Sequence, residues 1–276
     1  MGPALLFCPA DRPERFAKAA ERSDAVILDL EDAVAPDAKG AARRNLAEIP
    51  LDPRRTIVRI NSAGSAHVEA DLEALASTPY RTLMLAKAES PEQLRGLAAA
   101  DPGLTVIALC ETALGVVNAA AIAAEPNVVA LMWGAEDLVA SLGGTSSRAE
   151  DGGYRAVALH ARSSVLLAAG AFGKAAIDAV YTAIPDLDGL AAEAADAAAS
   201  GFAAKACIHP NQVAPVRAAY APSPAAVAAA RELLAAADAA GTGVFQFEGR
   251  MIDGPILRHA EAVLRRAGEH PARYQI

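Results

Sequence analysis

The sequence predicts an α/β protein, a closed (β/α)8 barrel with a C-terminal helical extension, on three observations. Apolar runs alternate with amphipathic, alanine-rich segments along most of the 276 residues. The runs are continuously apolar, as in parallel strands covered on both faces. Eight such units follow in series, and a barrel of this kind takes roughly 250 residues. No Gly-x-Gly-x-x-Gly follows the first run, which counts against an open dinucleotide-binding sheet.

In order, the strands are expected at 4–9, 25–30, 56–60, 82–86, 105–110, 128–133, 175–180 and 204–208. Helices are expected after them, near 13–22, 37–47, 66–76, 91–100, 114–124, 153–171, 187–199 and 211–219. The barrel is thus assigned to 1–220 and the extension to 221–276. The extension holds a helix near 223–239, Gly241-Thr242-Gly243, a β-prone piece at 244–247 and a last helix near 255–267. Being surplus to the barrel, it is expected to act as a lid or a subunit contact.

Composition narrows the class. Hydrophobic residues make up 53%, enough for a large core, and no apolar run reaches the ~18 residues of a membrane span. The first residues lack the basic-then-apolar pattern of a secretory signal. Cys8, Cys110 and Cys207, each inside an apolar run, read as reduced thiols, so a cytoplasmic protein is expected. The net charge of −8 argues against nucleic acid as a partner.

The ends of the expected strands carry ionisable groups. They are Asp11 and Arg12, then Asp29, Glu31 and Asp32, Arg59, Lys87 and Glu89, Glu111, Glu136 and Asp137, Asp178 and His209. In such barrels the loops after the strands build the active face. Glu111 and Asp137 are 26 positions apart, about one barrel repeat, and acids on adjacent strand ends suit a hard divalent cation. No Cys/His cluster has zinc spacing. Arg59 has the planar fork that suits a carboxylate or a thioester oxygen, or else pairs with Asp29 or Glu31. Glu31 and Asp32 either bond metal-bound water or cap their loop. Lys87 reads as an ion-pair partner rather than a Schiff-base lysine, and His209 as orienting its loop. Arg15 and Lys18, one turn apart, form either a solvated basic face or a diphosphate site. The Gly143–Arg148 stretch lacks the lysine of a phosphate loop. His67, His160, His259 and His270 carry no usable signal.

Leu28-Asp29-Leu30-Glu31-Asp32-Ala33-Val34, Val58-Arg59-Ile60-Asn61, Glu111-Thr112, Gly134-Ala135-Glu136-Asp137-Leu138, Ile208-His209-Pro210 and Asp253-Gly254-Pro255 together resemble the HpcH/HpaI aldolase and citrate lyase β-subunit family, in its stand-alone branch. The resemblance covers nearly the whole chain. It implies a TIM barrel whose C-terminal extension reaches a neighbouring subunit, in a homo-oligomer with a trimer favoured. It implies Mg2+, with Mn2+ as a possible substitute, held by Glu111 and Asp137. It further implies an acyl-CoA substrate bound by Arg59, and Asp253 from the adjacent protomer as acid/base. One departure is visible: Leu114 stands where many relatives carry Arg.

The chemistry so implied is cleavage of a 3-hydroxyacyl-CoA such as citramalyl-, malyl-, citryl- or hydroxymethylglutaryl-CoA. A base takes the β-hydroxyl proton, the Cα–Cβ bond breaks, Arg59 steadies the enolate and Asp253 protonates its carbon. The same site suits a malate-synthase-like condensing enzyme or a thioesterase. A pyruvate aldolase without CoA and a non-catalytic subunit binding CoA metabolites are further readings. Arg15 and Lys18 weigh against the aldolase, and the retained site residues against the subunit.

Overall fold

The computed structural model describes residues 1–241 and 243–269; Thr242 and His270 lie outside the described residues. Eight parallel strands close into a barrel in chain order. They are β1 (Ala4–Pro9), β2 (Ala25–Asp29), β3 (Thr56–Ile60), β4 (Thr82–Leu85), β5 (Thr105–Cys110), β6 (Val128–Trp133), β7 (Ala175–Asp178) and β8 (Ala204–Cys207). Closure comes from β8 pairing with β1, Lys205 beside Ala4. Four strands end one or two residues before the expected limit; beyond β2, β4 and β7 the reason is that apolar residues stay buried after the chain leaves the ladder, as Leu30, Ala86 and Ala179 do.

The barrel helices are α1 (Phe16–Arg22), α2 (Lys39–Glu48), α3 (Val68–Ala76), α4 (Pro91–Ala100), α5 (Ala113–Val117), α6 (Ala119–Ala123), α7 (Ala135–Ser141), α8 (Ala156–Ala171), α9 (Leu187–Ser200) and α10 (Val213–Tyr220). The helix expected at 114–124 is two, broken at Asn118, whose side-chain amide donates to the Glu89 carbonyl at 2.7 Å. The short α7 is a departure from the expected pattern. Glu136 and Asp137, read as the end of a strand, occupy its first turn, where acids suit the positive end of the helix dipole.

The barrel interior is a cluster that includes Leu5, Ile27, Ile57, Met84, Ile107, Leu109, Met132, Ile177 and Ala206. Side chains alternate faces along a strand. The other set, among them Leu28, Val58, Leu83 and Trp133, is also buried. Both faces of the sheet are therefore covered over most of its length, with Val129 and Ala175 exposed near the starts of β6 and β7, which explains the long apolar runs.

The chain divides into two compact units, Met1–Val216 and Arg217 onward. In the second, α11 (Pro224–Ala240) and α12 (Gly254–Arg266) pack through Ala230, Ala260 and Leu264. Between them β9 (Phe245–Phe247) and β10 (Arg250–Ile252) form an antiparallel hairpin. Its turn is Glu248-Gly249, with φ of 49° and 76°, the positive pair that two-residue hairpins favour. The β-prone piece expected at 244–247 is thus the first strand of a hairpin whose second strand was not expected. No described helix is long and apolar enough to cross a membrane.

Candidate active site

The inward set of side chains continues past the apolar layers into charge. Two residues beyond Ile27 comes Asp29, beyond Ile57 comes Arg59, beyond Leu109 comes Glu111, and beyond Met132 comes Gly134. The same period of two that fills the barrel thus aims an acid, a guanidinium and a second acid at one end. They line a cavity of about 190 Å3 together with Phe7, Glu136 and Asp137.

Arg59 donates Nε to Asp29 Oδ1 at 2.7 Å and Nη2 to Oδ2 at 2.6 Å, a bidentate pair. Its Nη1 lies 3.0 Å from Glu31 Oε2, and its guanidinium stacks 4.9 Å from the Phe7 ring centroid. Lys87 caps the other side of Glu31 through Nζ, which also donates to Asp32 at 3.1 Å and lies 3.7 Å from Asp137. Its backbone N–H donates to Glu111 Oε1 at 3.1 Å. Burial, reinforced by the neighbouring Asp137, pushes the Glu111 carboxyl up to about 8. A Cβ on Gly134 would stand 2.9 Å from both Glu111 Cβ and Oε2. Only a glycine there leaves Glu111 its place.

This donor set fits a hard divalent cation. Two facing carboxylates, one of them held in a costly state, are what a cation would relieve. Among the described residues no three His, Cys, Asp or Glu side chains gather into a metal cage. Two carboxylates are nevertheless the usual protein share at a Mg2+ site, where water and substrate fill the remaining positions.

The HpcH/HpaI aldolase/citrate lyase model matches residues 4–210. This chain belongs to that family. It is a lyase of that family, and its barrel is the family's TIM barrel. A citrate lyase subunit beta-like protein of Mycobacterium tuberculosis is 59% identical over 97% of this chain and 96% of its own length. The human mitochondrial citramalyl-CoA lyase is 36% identical over 94% of this chain and 83% of its own. The crystal structure of CitE from M. tuberculosis, in complex with magnesium, acetoacetate and coenzyme A, superposes with a TM-score of 0.91. It is 58% identical and covers 97% of this chain and 98% of that one.

Within this lyase, Arg59, Glu111, Asp137 and Glu31 come together at one end of the barrel, with Asp32 joined to them through Lys87. Glu31 and Asp32 do not cap their loop alone; they take the Lys87 ammonium. Arg15 and Lys18 line a separate cavity of about 500 Å3 with Arg22 and His209; Phe7 and Ile208 line both cavities. His209 orients its loop as expected, accepting from the Asn211 N–H through Nδ1 at 3.2 Å. Leu114 is exposed on α5. Asp253 lies in the second unit at the N-cap of α12, yet its side chain makes no capping hydrogen bond.

Asp178 departs from the expected common rim. It is out of phase with the inward Ile177 and faces the helices. There it accepts from Trp133 Nε1 at 2.8 Å, Arg162 Nε at 3.0 Å and Lys205 Nζ at 2.9 Å. Lys205 also bonds Glu193 of α9 at 2.9 Å. The signal for this buried network was Lys205 itself, since a lysine inside a four-residue strand of otherwise apolar residues must be paired. Burial pushes Cys8 up to about 11 and Cys110 to about 12, so neither is a thiolate nucleophile at neutral pH.

Proposed function

We propose that this chain cleaves a carbon–carbon bond in a 3-hydroxyacyl-CoA thioester of the citramalyl-, malyl-, citryl- or hydroxymethylglutaryl-CoA kind, with Mg2+. The observation that carries the reading is one cavity lined by two carboxylates, Glu111 and Asp137, and by the pinned guanidinium of Arg59. Its volume of about 190 Å3 is below the roughly 300–1,000 Å3 of pockets for drug-sized ligands and suits a short acyl chain. The bulk of CoA needs other room. The neighbouring 500 Å3 cavity, with Arg15 and Lys18 on its wall, offers cations for the diphosphate.

Glu111 and Asp137 would hold Mg2+, whose charge, when bound, polarises the hydroxyl and carboxylate oxygens of the acyl chain. The β-hydroxyl loses its proton to a base and the Cα–Cβ bond breaks, sending its electron pair into the acyl-CoA enolate. Arg59, held in place by Asp29 and Glu31, needs no reorganisation to stabilise that charge. Asp253 then gives a proton to the enolate carbon. In this reading Asp253 comes from a neighbouring copy in a homotrimer. The M. tuberculosis complex with magnesium, acetoacetate and coenzyme A supports the metal and the CoA ester.

The test is a panel of 3-hydroxyacyl-CoA esters, scored for release of an acyl-CoA and an oxo acid, a 2-oxo acid from the citramalyl, malyl and citryl esters and a 3-oxo acid from the hydroxymethylglutaryl ester. One ester should be cleaved, EDTA should abolish cleavage, and Mg2+ or Mn2+ should restore it. Full turnover in chelator, or release of free CoA alone, would sink the proposal.

A further inference from the structure

Lys87 has a backbone conformation that a side chain disfavours. Its φ is +51°, in the left-handed region; among the described non-glycine residues only Glu248, in the hairpin turn, shares it. Such a conformation persists where the surroundings over-determine it, and it gathers at functional sites. Here it turns both polar ends of one residue toward the acids. The backbone N–H reaches Glu111 at 3.1 Å, while Nζ meets Glu31, lies 3.1 Å from Asp32 and 3.7 Å from Asp137. One residue therefore touches four carboxylates, both of the proposed metal ligands among them.

We infer that Lys87 is a resident counter-cation of the acid cluster, which holds Asp137 in the metal-free protein and must release it when a divalent cation binds. This inference rests on the assignment of Glu111 and Asp137 as ligands. A positive charge beside a ligand oxygen opposes a second cation there. Arg59 cannot play this part, because its fork is pinned to Asp29. Lys87 can, because its four-carbon stem is flexible and its ammonium is a point charge. When Asp137 is released, Glu31 and the exposed Asp32 keep the ammonium beside the site. Lys87 is thus a positioning residue that sets how much metal the site demands.

The experiment is a Mn2+ titration followed by electron paramagnetic resonance on metal-free wild type, Lys87→Met, Lys87→Arg and Asp137→Asn. Lys87→Met should bind Mn2+ about tenfold more tightly than wild type, Lys87→Arg should stay within about threefold of it, and Asp137→Asn should lose binding. A merely structural Lys87 predicts the opposite sign for Lys87→Met. Equal or weaker binding by a folded Lys87→Met, with Asp137→Asn still inert, overturns the inference alone. Wild-type-like binding by Asp137→Asn instead overturns the ligand assignment beneath it. If Lys87→Met does not fold, Lys87→Gln decides, with Mn2+ binding about tenfold tighter than wild type expected from loss of the same charge. Equal or weaker binding by Lys87→Gln overturns the inference.

Discussion

Arg59 donates to Asp29 through two nitrogens and faces Glu31 with a third, a geometry that depends on the planar fork. Lysine would keep one charge but could not hold both acids. Asp29 would retain the N–H groups of Glu31 and Ala33, at 2.9 and 3.3 Å, and Glu31 would retain Lys87. We therefore expect Arg59→Lys to lose turnover by roughly 10²–10³-fold, the usual cost of removing a preorganised donor. Its melting temperature should move far less than its rate. Thermal melting beside steady-state turnover checks this, and near-normal turnover or outright unfolding would make the residue structural. The residue types and their strand-end positions were legible in the sequence. The commitment of Arg59 to Asp29 was legible only as one of two alternatives, because both need the same fork.

At the level of elements, the β/α unit does two different jobs with charged residues. On β2, β3 and β5 the inward phase carries them to the cavity. On β7 and β8 the outward phase buries Asp178 and Lys205 against α8 and α9. Lys205 is fully buried, and its removal leaves Asp178 and Glu193 short of a cation in a low-dielectric layer. Breaking a buried pair in this way typically costs about 3–5 kcal/mol. Lys205→Met should lose stability on that scale in urea denaturation, while the folded fraction retains Mn2+ binding. A variant as stable as wild type would show that Arg162 alone suffices for Asp178. The elements missed from the sequence share a cause. Helix α7 has seven residues and β10 has three, too short for a periodic signal to emerge.

At the scale of the whole molecule, the second unit carries Asp253, and its proposed role requires a partner copy. An N-cap aspartate that makes no capping hydrogen bond has its carboxylate available for other work. Asp253→Asn should remain folded and bind Mn2+, yet fall in turnover by roughly 10²–10⁴-fold, the range for loss of a general acid. Mixed with inactive Arg59→Lys in oligomers proven to exchange subunits, it should regain activity as wild-type sites re-form. Failure of that rescue would place the acid in its own subunit's site. Sedimentation should show a trimer, or a multiple of one, as the active species, and a fully active monomer would refute the shared site.

By itself the sequence determined the barrel, its family and the identity of the acids at the strand ends. Eight long apolar runs and their intervening helices are local patterns, and local patterns are written residue by residue. Only the tertiary structure decided which of those charges meet. A strand buried on both faces is apolar at every position, so its sequence does not say which phase points inward. The closed register settles it, sending Asp29, Arg59 and Glu111 into the cavity and turning Asp178 and Lys205 toward the helices. The place of Lys87 depends further on a left-handed backbone that no propensity for lysine would suggest.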